Sequence, residues 1–157
     1  MKLIILAAGQ GQRLRPLTDD KPKCMVEFKN KPIISYILEV AEKFNFDKKI
    51  IVDGYKKDIL EDFLKDKNIT FYTNEKFDNT NMLYSLFCVE NELNDDIIIS
   101  YSDIIYTKNV LDKLFNSEED FSVIVDKDWH DLWSIRMENP LDDAETMKLD
   151  ENNIRGY

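Results

Sequence analysis

Short β-branched runs alternate with amphipathic stretches along most of this chain, and that alternation constrains the fold more than any other feature. Leu3 to Leu6 reads as a first, fully buried strand, and Ile33, Ile34, Ile37, Leu38, Ala41 and Phe44 then fall at helical spacing. Lys49 to Val52 gives a second strand, closed by Asp53-Gly54, followed by a helix striped with Ile59, Leu60, Phe63 and Leu64. Ile69 to Tyr72 gives a third strand. Asn79-Thr80-Asn81 has the short polar side chains that cap a helix, whose buried face would carry Leu83, Leu86, Phe87 and Leu93. Asp96 to Tyr101 is the most apolar later strand, Val110 to Phe115 a short helix, and Phe121 to Val125 a further strand. Strands alternating with helices in this way predict an α/β chain with a mainly parallel sheet covered on both faces. The 157 residues suffice for one domain, taken as residues 1–157. From Trp129 onward the alternation fades, although Thr146 to Leu149 and Ile154 to Tyr157 read as two strands joined by a turn at 150–153.

Charge narrows the partners. Lys and Arg number 21 against 31 Asp and Glu, a net charge of −10. A surface that acidic repels phosphate backbones and anionic lipids, which argues against nucleic acid and membranes. A phosphate-binding site here must therefore concentrate its cations locally. Cys24 and Cys88 stand apart with no CxxC spacing, as reduced thiols do, and the apolar stretch at Leu3 to Ala8 is too short for a signal core. The expected location is the cytoplasm.

Leu6 to Val26, LAAGQGQRLRPLTDDKPKCMV, carries the most chemistry. The first strand runs into Ala7-Ala8, and Gly9 and Gly11 then let the backbone turn sharply and aim successive amides at phosphate oxygens. Small Ala7 and Ala8 leave room for a flat base against the main chain. Arg13 and Lys23 add two positive charges. Taken singly, the glycines suit a strand-exit turn and the two cations a solvated surface. A dinucleotide fingerprint would need glycine where Leu14 stands, and no Gly-Lys-Ser/Thr follows for a P-loop.

Taken together, Gly9, Gly11, Arg13, Pro16, Leu17, Thr18, Pro22 and Lys23 resemble the G-x-G-x-R-x-x-P-L-T-x-x-x-P-K signature of sugar-phosphate and choline-phosphate nucleotidyltransferases. Lys31-Pro32-Ile33-Ile34 is similar to that family's helix start. Asn81, Tyr84, Ser85 and Leu86 resemble the choline-phosphate branch, and Ser102-Asp103 resembles its strand-end aspartate. The resemblance implies a Rossmann-like mixed, mainly parallel sheet and a phosphoryl-transfer site. It also implies that family members continue past the equivalent of Tyr157, so that their C-terminal part, with a second acidic metal ligand, is absent from this chain.

Several roles follow from the resemblance alone. The acceptor's phosphate oxygen attacks the α-phosphorus of a nucleoside triphosphate, with no general base required, and catalysis rests on positioning and charge neutralisation. Arg13 would contact the β- and γ-phosphates, and Lys23 would sit where donor and acceptor phosphates meet. Leu6, Ala7, Ala8, Gly9, Gln10, Gly11, Gln12, Asn81, Ser85 and Ser102 would complete the nucleotide site. Asp103 would bind Mg²⁺, the expected cofactor; its alternative is a turn cap. CTP is the favoured nucleotide and phosphocholine or phosphoglutamine the favoured acceptor, in a role tied to cell-surface polysaccharide. Alternatives are a sugar-1-phosphate acceptor or a catalytically silent nucleotide-binding module. Trp129 and Trp133 suit either packing or a box for an ammonium group, and Arg136 either an acceptor phosphate or a pair with Glu138.

Overall fold

The computed structural model describes residues 1–142, 144, 148–150 and 153–156. The chain divides into two compact units, Met1–Glu119 and Asp120–Tyr157. In the first, the elements in order are β1 (Lys2–Leu6), β2 (Glu27–Phe28), β3 (Lys31–Pro32), α1 (Ile33–Ala41), β4 (Lys48–Asp53), α2 (Lys57–Leu64), β5 (Thr70–Thr73), α3 (Met82–Phe87), β6 (Ile97–Tyr101) and α4 (Lys108–Phe115). The second holds α5 (Trp129–Ser134), β7 (Lys148–Asp150) and β8 (Asn153–Gly156).

Four strands form one all-parallel sheet in the order β5-β4-β1-β6. Leu3, Ile4 and Ile5 of β1 are all fully buried, as a central parallel strand with helices on both faces requires. Leu3, Ile5, Ala7, Ile51 and Ile98 pack against Ile34, Ile37 and Ala41 of α1, Leu60 and Leu64 of α2 and Leu111 of α4. Ile4, Ile50 and Val52 pack on the opposite side with Leu86 of α3, Val89 and Leu93. Each fully buried aliphatic side chain contributes about 1.5–3 kcal/mol, so this doubly covered strand is the backbone of the fold. β2 and β3 form a hairpin that sequence periodicity missed. Its two-residue turn, Lys29-Asn30, adopts φ of 49° and 62°, the left-handed pair that tight hairpins use.

Three expectations about packing need correction. On α2 only Leu60 and Leu64, four residues apart, face the core; Ile59 and Phe63 lie exposed on the next row. On α3 it is Ser85 that turns inward, while Leu83 and Phe87 face outward, because Asn74 draws the serine hydroxyl in. Phe121 to Val125 is not a strand: it joins no ladder among the described residues, and Phe121 is 70% exposed. Strand-like composition needs a pairing partner to become a strand. In the second unit β7 and β8 pair antiparallel; Thr146, Met147, Glu151, Asn152 and Tyr157 of the expected hairpin lie outside the described residues. No helix among the described residues is long and apolar enough to cross a membrane.

The amino ends of the strands are held by one carboxylate. Glu92 accepts from Lys2 Nζ at 3.1 Å and from the Tyr72 hydroxyl at 2.7 Å, and it pairs with Lys48. Hydrogen bonds from Lys48, Tyr72 and Lys2 pull the Glu92 carboxyl down to about 2.

Candidate nucleotide site

Three chain exits meet at the carboxyl end of the sheet, the place where open parallel sheets bind ligands. Ala7 N–H donates to Val52 O at 2.7 Å and Ser102 N–H to Leu6 O at 3.2 Å, so residues 7–9, 53–54 and 102–103 leave their strands side by side. Parallel register does this: Leu6 lies opposite Val52 on one side and Tyr101 on the other.

The loop after β1 is tightly wound. Gly11 takes φ +61°, and a Cβ there would come within 2.9 Å of Lys23 Cβ and 3.1 Å of Thr18 Cγ2. Its carbonyl accepts from Leu14 N–H at 2.8 Å and from the Thr18 hydroxyl at 2.9 Å. Thr18 is fully buried. At Gly9 a Cβ would meet nothing within 4 Å, which leaves the backbone open to a ligand on that side. The turn Gln12–Leu14 carries Arg13 on its exposed surface, and Gln10 and Gln12 hydrogen-bond to each other at 3.3 Å. Ala7 and Ala8 are buried beneath it.

Lys23 opens a second turn, Lys23–Met25, and its ammonium pairs directly with the Asp103 carboxylate. The two charged residues singled out from opposite ends of the first unit's sequence thus meet at one point. Both remain partly exposed, so phosphate or metal can compete for either partner. Cys24, next to Lys23, is buried, and burial pushes its thiol up to about 12, which removes it as a nucleophile.

Asn81 and Ser85 hold scaffold positions. Asn81 Oδ1 caps α3 by accepting from Tyr84 N–H at 3.1 Å. The Ser85 hydroxyl is buried, accepts from Asn74 Nδ2 at 3.0 Å and donates to Asn81 O at 3.5 Å. Asn74 also donates to Thr80 Oγ1 at 2.9 Å and accepts from Lys76 N–H at 2.9 Å. Ser102 is buried beside Asp103. Asp53, at the end of β4, is 1% exposed, and among the described residues neither of its carboxylate oxygens has a well-formed hydrogen bond, although Thr73 lies close enough to favour the charged form. Burial pushes this carboxyl up to about 6; Thr73 and Lys57 oppose the shift and Glu61 reinforces it.

No group of three or more His, Cys, Asp or Glu side chains clusters among the described residues. Mg²⁺ nevertheless fits the donor chemistry, because it accepts one or two carboxylates together with phosphate oxygens brought by a nucleotide. Asp103 would supply the carboxylate. In the second unit Trp129 and Trp133 meet edge to face at 5.8 Å, and the Arg136 guanidinium lies 5.5 Å from the centre of the Trp133 ring. A cation of the chain itself therefore already occupies one face of that aromatic pair.

Against known proteins, the MobA-like NTP transferase domain profile matches residues 3–149. A CTP:phosphoglutamine cytidylyltransferase of Campylobacter jejuni is 46% identical over 156 residues, covering 95% of this chain and 62% of that protein. A UTP–glucose-1-phosphate uridylyltransferase of Haloferax volcanii is 35% identical over 124 residues, 76% of this chain and 50% of that protein. Among solved structures, CTP:phosphocholine cytidylyltransferase from Streptococcus pneumoniae superposes with a TM-score of 0.61 at 36% identity, covering 69% of this chain and 49% of that one. The chain thus spans less than two thirds of the length of each of these proteins.

Proposed function

Since the chain belongs to the MobA-like NTP transferase family, we propose that it serves a nucleotidyl transfer in which CTP donates CMP to a small phosphorylated acceptor and pyrophosphate leaves. One observation carries this reading: the Lys23 ammonium, from a turn packed against Gly11 of the glycine-rich loop, and the Asp103 carboxylate just after β6 lie in direct contact.

A phosphate oxygen of the acceptor forms the new bond to the α-phosphorus as the bond to the β-phosphate oxygen breaks, and the electron pair departs with pyrophosphate. Phosphate dianions need no base, so the residues position and neutralise. Backbone amides of residues 9–12 meet the triphosphate, and Arg13 faces its β- and γ-phosphates. Lys23 exchanges its carboxylate partner for phosphate oxygens where donor and acceptor approach. Asp103, with the nucleotide's phosphates, would hold Mg²⁺, which supplies further neutralisation of phosphate charge. Asn81 and Ser85 shape the wall of the site through the α3 cap rather than by donating to the base.

For the acceptor, phosphoglutamine is favoured over phosphocholine. The 46% identity to a phosphoglutamine enzyme supports it, and so does Arg136 over Trp133, which leaves that ring face poorly suited to a quaternary ammonium and offers a guanidinium with which a carboxylate could pair. A nucleoside triphosphate substrate and two free thiols fit a cytoplasmic enzyme. The test is pyrophosphate release with each of four NTPs against phosphoglutamine, phosphocholine and glucose 1-phosphate. CTP with phosphoglutamine should be turned over fastest. Preference for UTP with the hexose phosphate would reject the cytidylyl reading, and release with no combination would reject transfer altogether.

A further inference from the structure

Gly54 and Tyr55, which follow β4, touch the glycine-rich loop at both of its ends. Tyr55 N–H donates to Ala8 O at 3.1 Å, where the loop begins. The Tyr55 hydroxyl shares its proton between Thr18 O at 3.1 Å and Asp19 O at 3.0 Å, where the loop ends. Gly54 makes the approach possible: a Cβ there would come within 3.0 Å of Ala8 O and 2.9 Å of Phe77 Cβ. The tyrosine ring is steadied in turn by Phe77, edge-on at 6.0 Å. We infer that Tyr55 is a positioning residue of the nucleotide site, a clamp that closes residues 8–19 into a ring and so fixes the amides that meet the triphosphate.

The physical case rests on loop entropy. Without the hydroxyl, the far end of the loop keeps the Thr18–Gly11 bond and the short-range bonds Leu14 N–H to Gly11 O, Leu17 N–H to Leu14 O and Asp19 N–H to Pro16 O. Those bonds shape the loop internally; beyond the burial of Thr18 and Cys24, none of them ties its far end to the sheet. Tyr55 supplies that anchor, and a loop held at both ends loses less freedom when a ligand orders it. The clamp exists whatever the loop binds; its role in positioning a nucleotide rests on the transfer reading above.

Tyr55→Phe keeps the ring, the Phe77 contact and the Ala8 bond, and removes only the hydroxyl. Tyr36→Phe is the matched control, because the Tyr36 hydroxyl also donates to a carbonyl, that of Phe28, at 2.8 Å, away from the loop. Amide exchange at Leu14, Leu17 and Asp19 should speed up about tenfold in Tyr55→Phe, with β1 and β4 amides less affected, and affinity for CTP should fall by a similar factor while the thermal midpoint drops by only a few degrees. Tyr36→Phe should alter none of these. Unchanged loop exchange, or a rise spread equally over β1 and β4, overturns the clamp. Faster loop exchange with unaltered CTP affinity overturns its positioning role. If the unmodified protein binds no CTP, the transfer reading fails by itself, and the exchange data still decide the clamp.

Discussion

At the amino ends of β1 and β4, Lys2 and Lys48 converge with Tyr72 on the Glu92 carboxylate, and every partner there is satisfied. At the carboxyl ends of the same strands, Asp53 is buried with no well-formed hydrogen bond to either oxygen among the described residues, and Lys23 and Asp103 share a pair that solvent can reach. Burial alone cannot explain the contrast, since the better-satisfied carboxylate is the more exposed of the two acids. Its electrostatic sign does. The amino end sets two ammonium groups against one carboxylate and holds it ionised; the carboxyl end tolerates a strained acid beside groups that a phosphate can recruit. On the transfer reading, one end serves stability and the other exchange of partners.

The largest expected effect is at the carboxyl end. Lys23→Ala should reduce turnover at least a hundredfold, about 3 kcal/mol of transition-state stabilisation, with a thermal midpoint close to that of the unmodified protein. Steady-state rates beside a melting curve check it. A large fall in the midpoint with modest loss of rate would make the Lys23–Asp103 pair a structural bond and erase the contrast between the two ends.

Glu92→Gln should act in the opposite sense, lowering stability by about 2 kcal/mol while sparing turnover by the molecules that remain folded. The sign with pH follows from the depressed carboxyl. It stabilises the fold fully above the usual glutamate range, near pH 4.5, and that contribution is lost as pH falls toward 2. Chemical denaturation of both proteins between pH 7 and pH 2.5 should therefore show curves that converge on acidification. A constant gap would mean that Glu92 acts through packing instead.

Asp53→Asn should give the smallest change, a gain of about 1 kcal/mol at pH 7. Its carboxyl is raised from 3.8 to about 6, so its contribution is most favourable below pH 4 and is lost as pH rises through 6. The full penalty at neutral pH is about 3 kcal/mol by linkage, of which the amide recovers only part because it is buried and unpartnered too. The stabilisation should fade below pH 4. A destabilised Asn variant at pH 7 would show that the ionised Asp53 is well paired, and that the two ends are more alike than they look.

How much of this was legible beforehand depended on range. β1 and β4 could be read because a strand buried on both faces needs an unbroken apolar run, and Leu3 to Leu6 and Ile50 to Val52 have one. The start of α3 was legible in Asn81, a local capping signal, yet its buried face was not, because Asn74 decides that from a different element. Phe121 to Val125 has strand composition but no ladder, and composition cannot report a missing partner. At the site, resemblance to a family signature singled out Arg13 and Lys23, and resemblance to that family's strand-end aspartate singled out Asp103. That Lys23 meets Asp103 depends on β1 and β6 being neighbours, a fact of topology. Tyr55 and Glu92 left no signal: one is an aromatic after a glycine and the other an acid in an acidic run, and each matters through bonds to residues distant in sequence.

Amide exchange across the whole chain, measured with and without CTP and Mg²⁺, tests the division between the two ends most directly. The account predicts new protection at residues 7–14, 23 and 102–103, with amides around Lys2, Lys48 and Glu92 unaffected. Protection centred on the Glu92 end, or spread evenly along β1, β4 and β6, would contradict it.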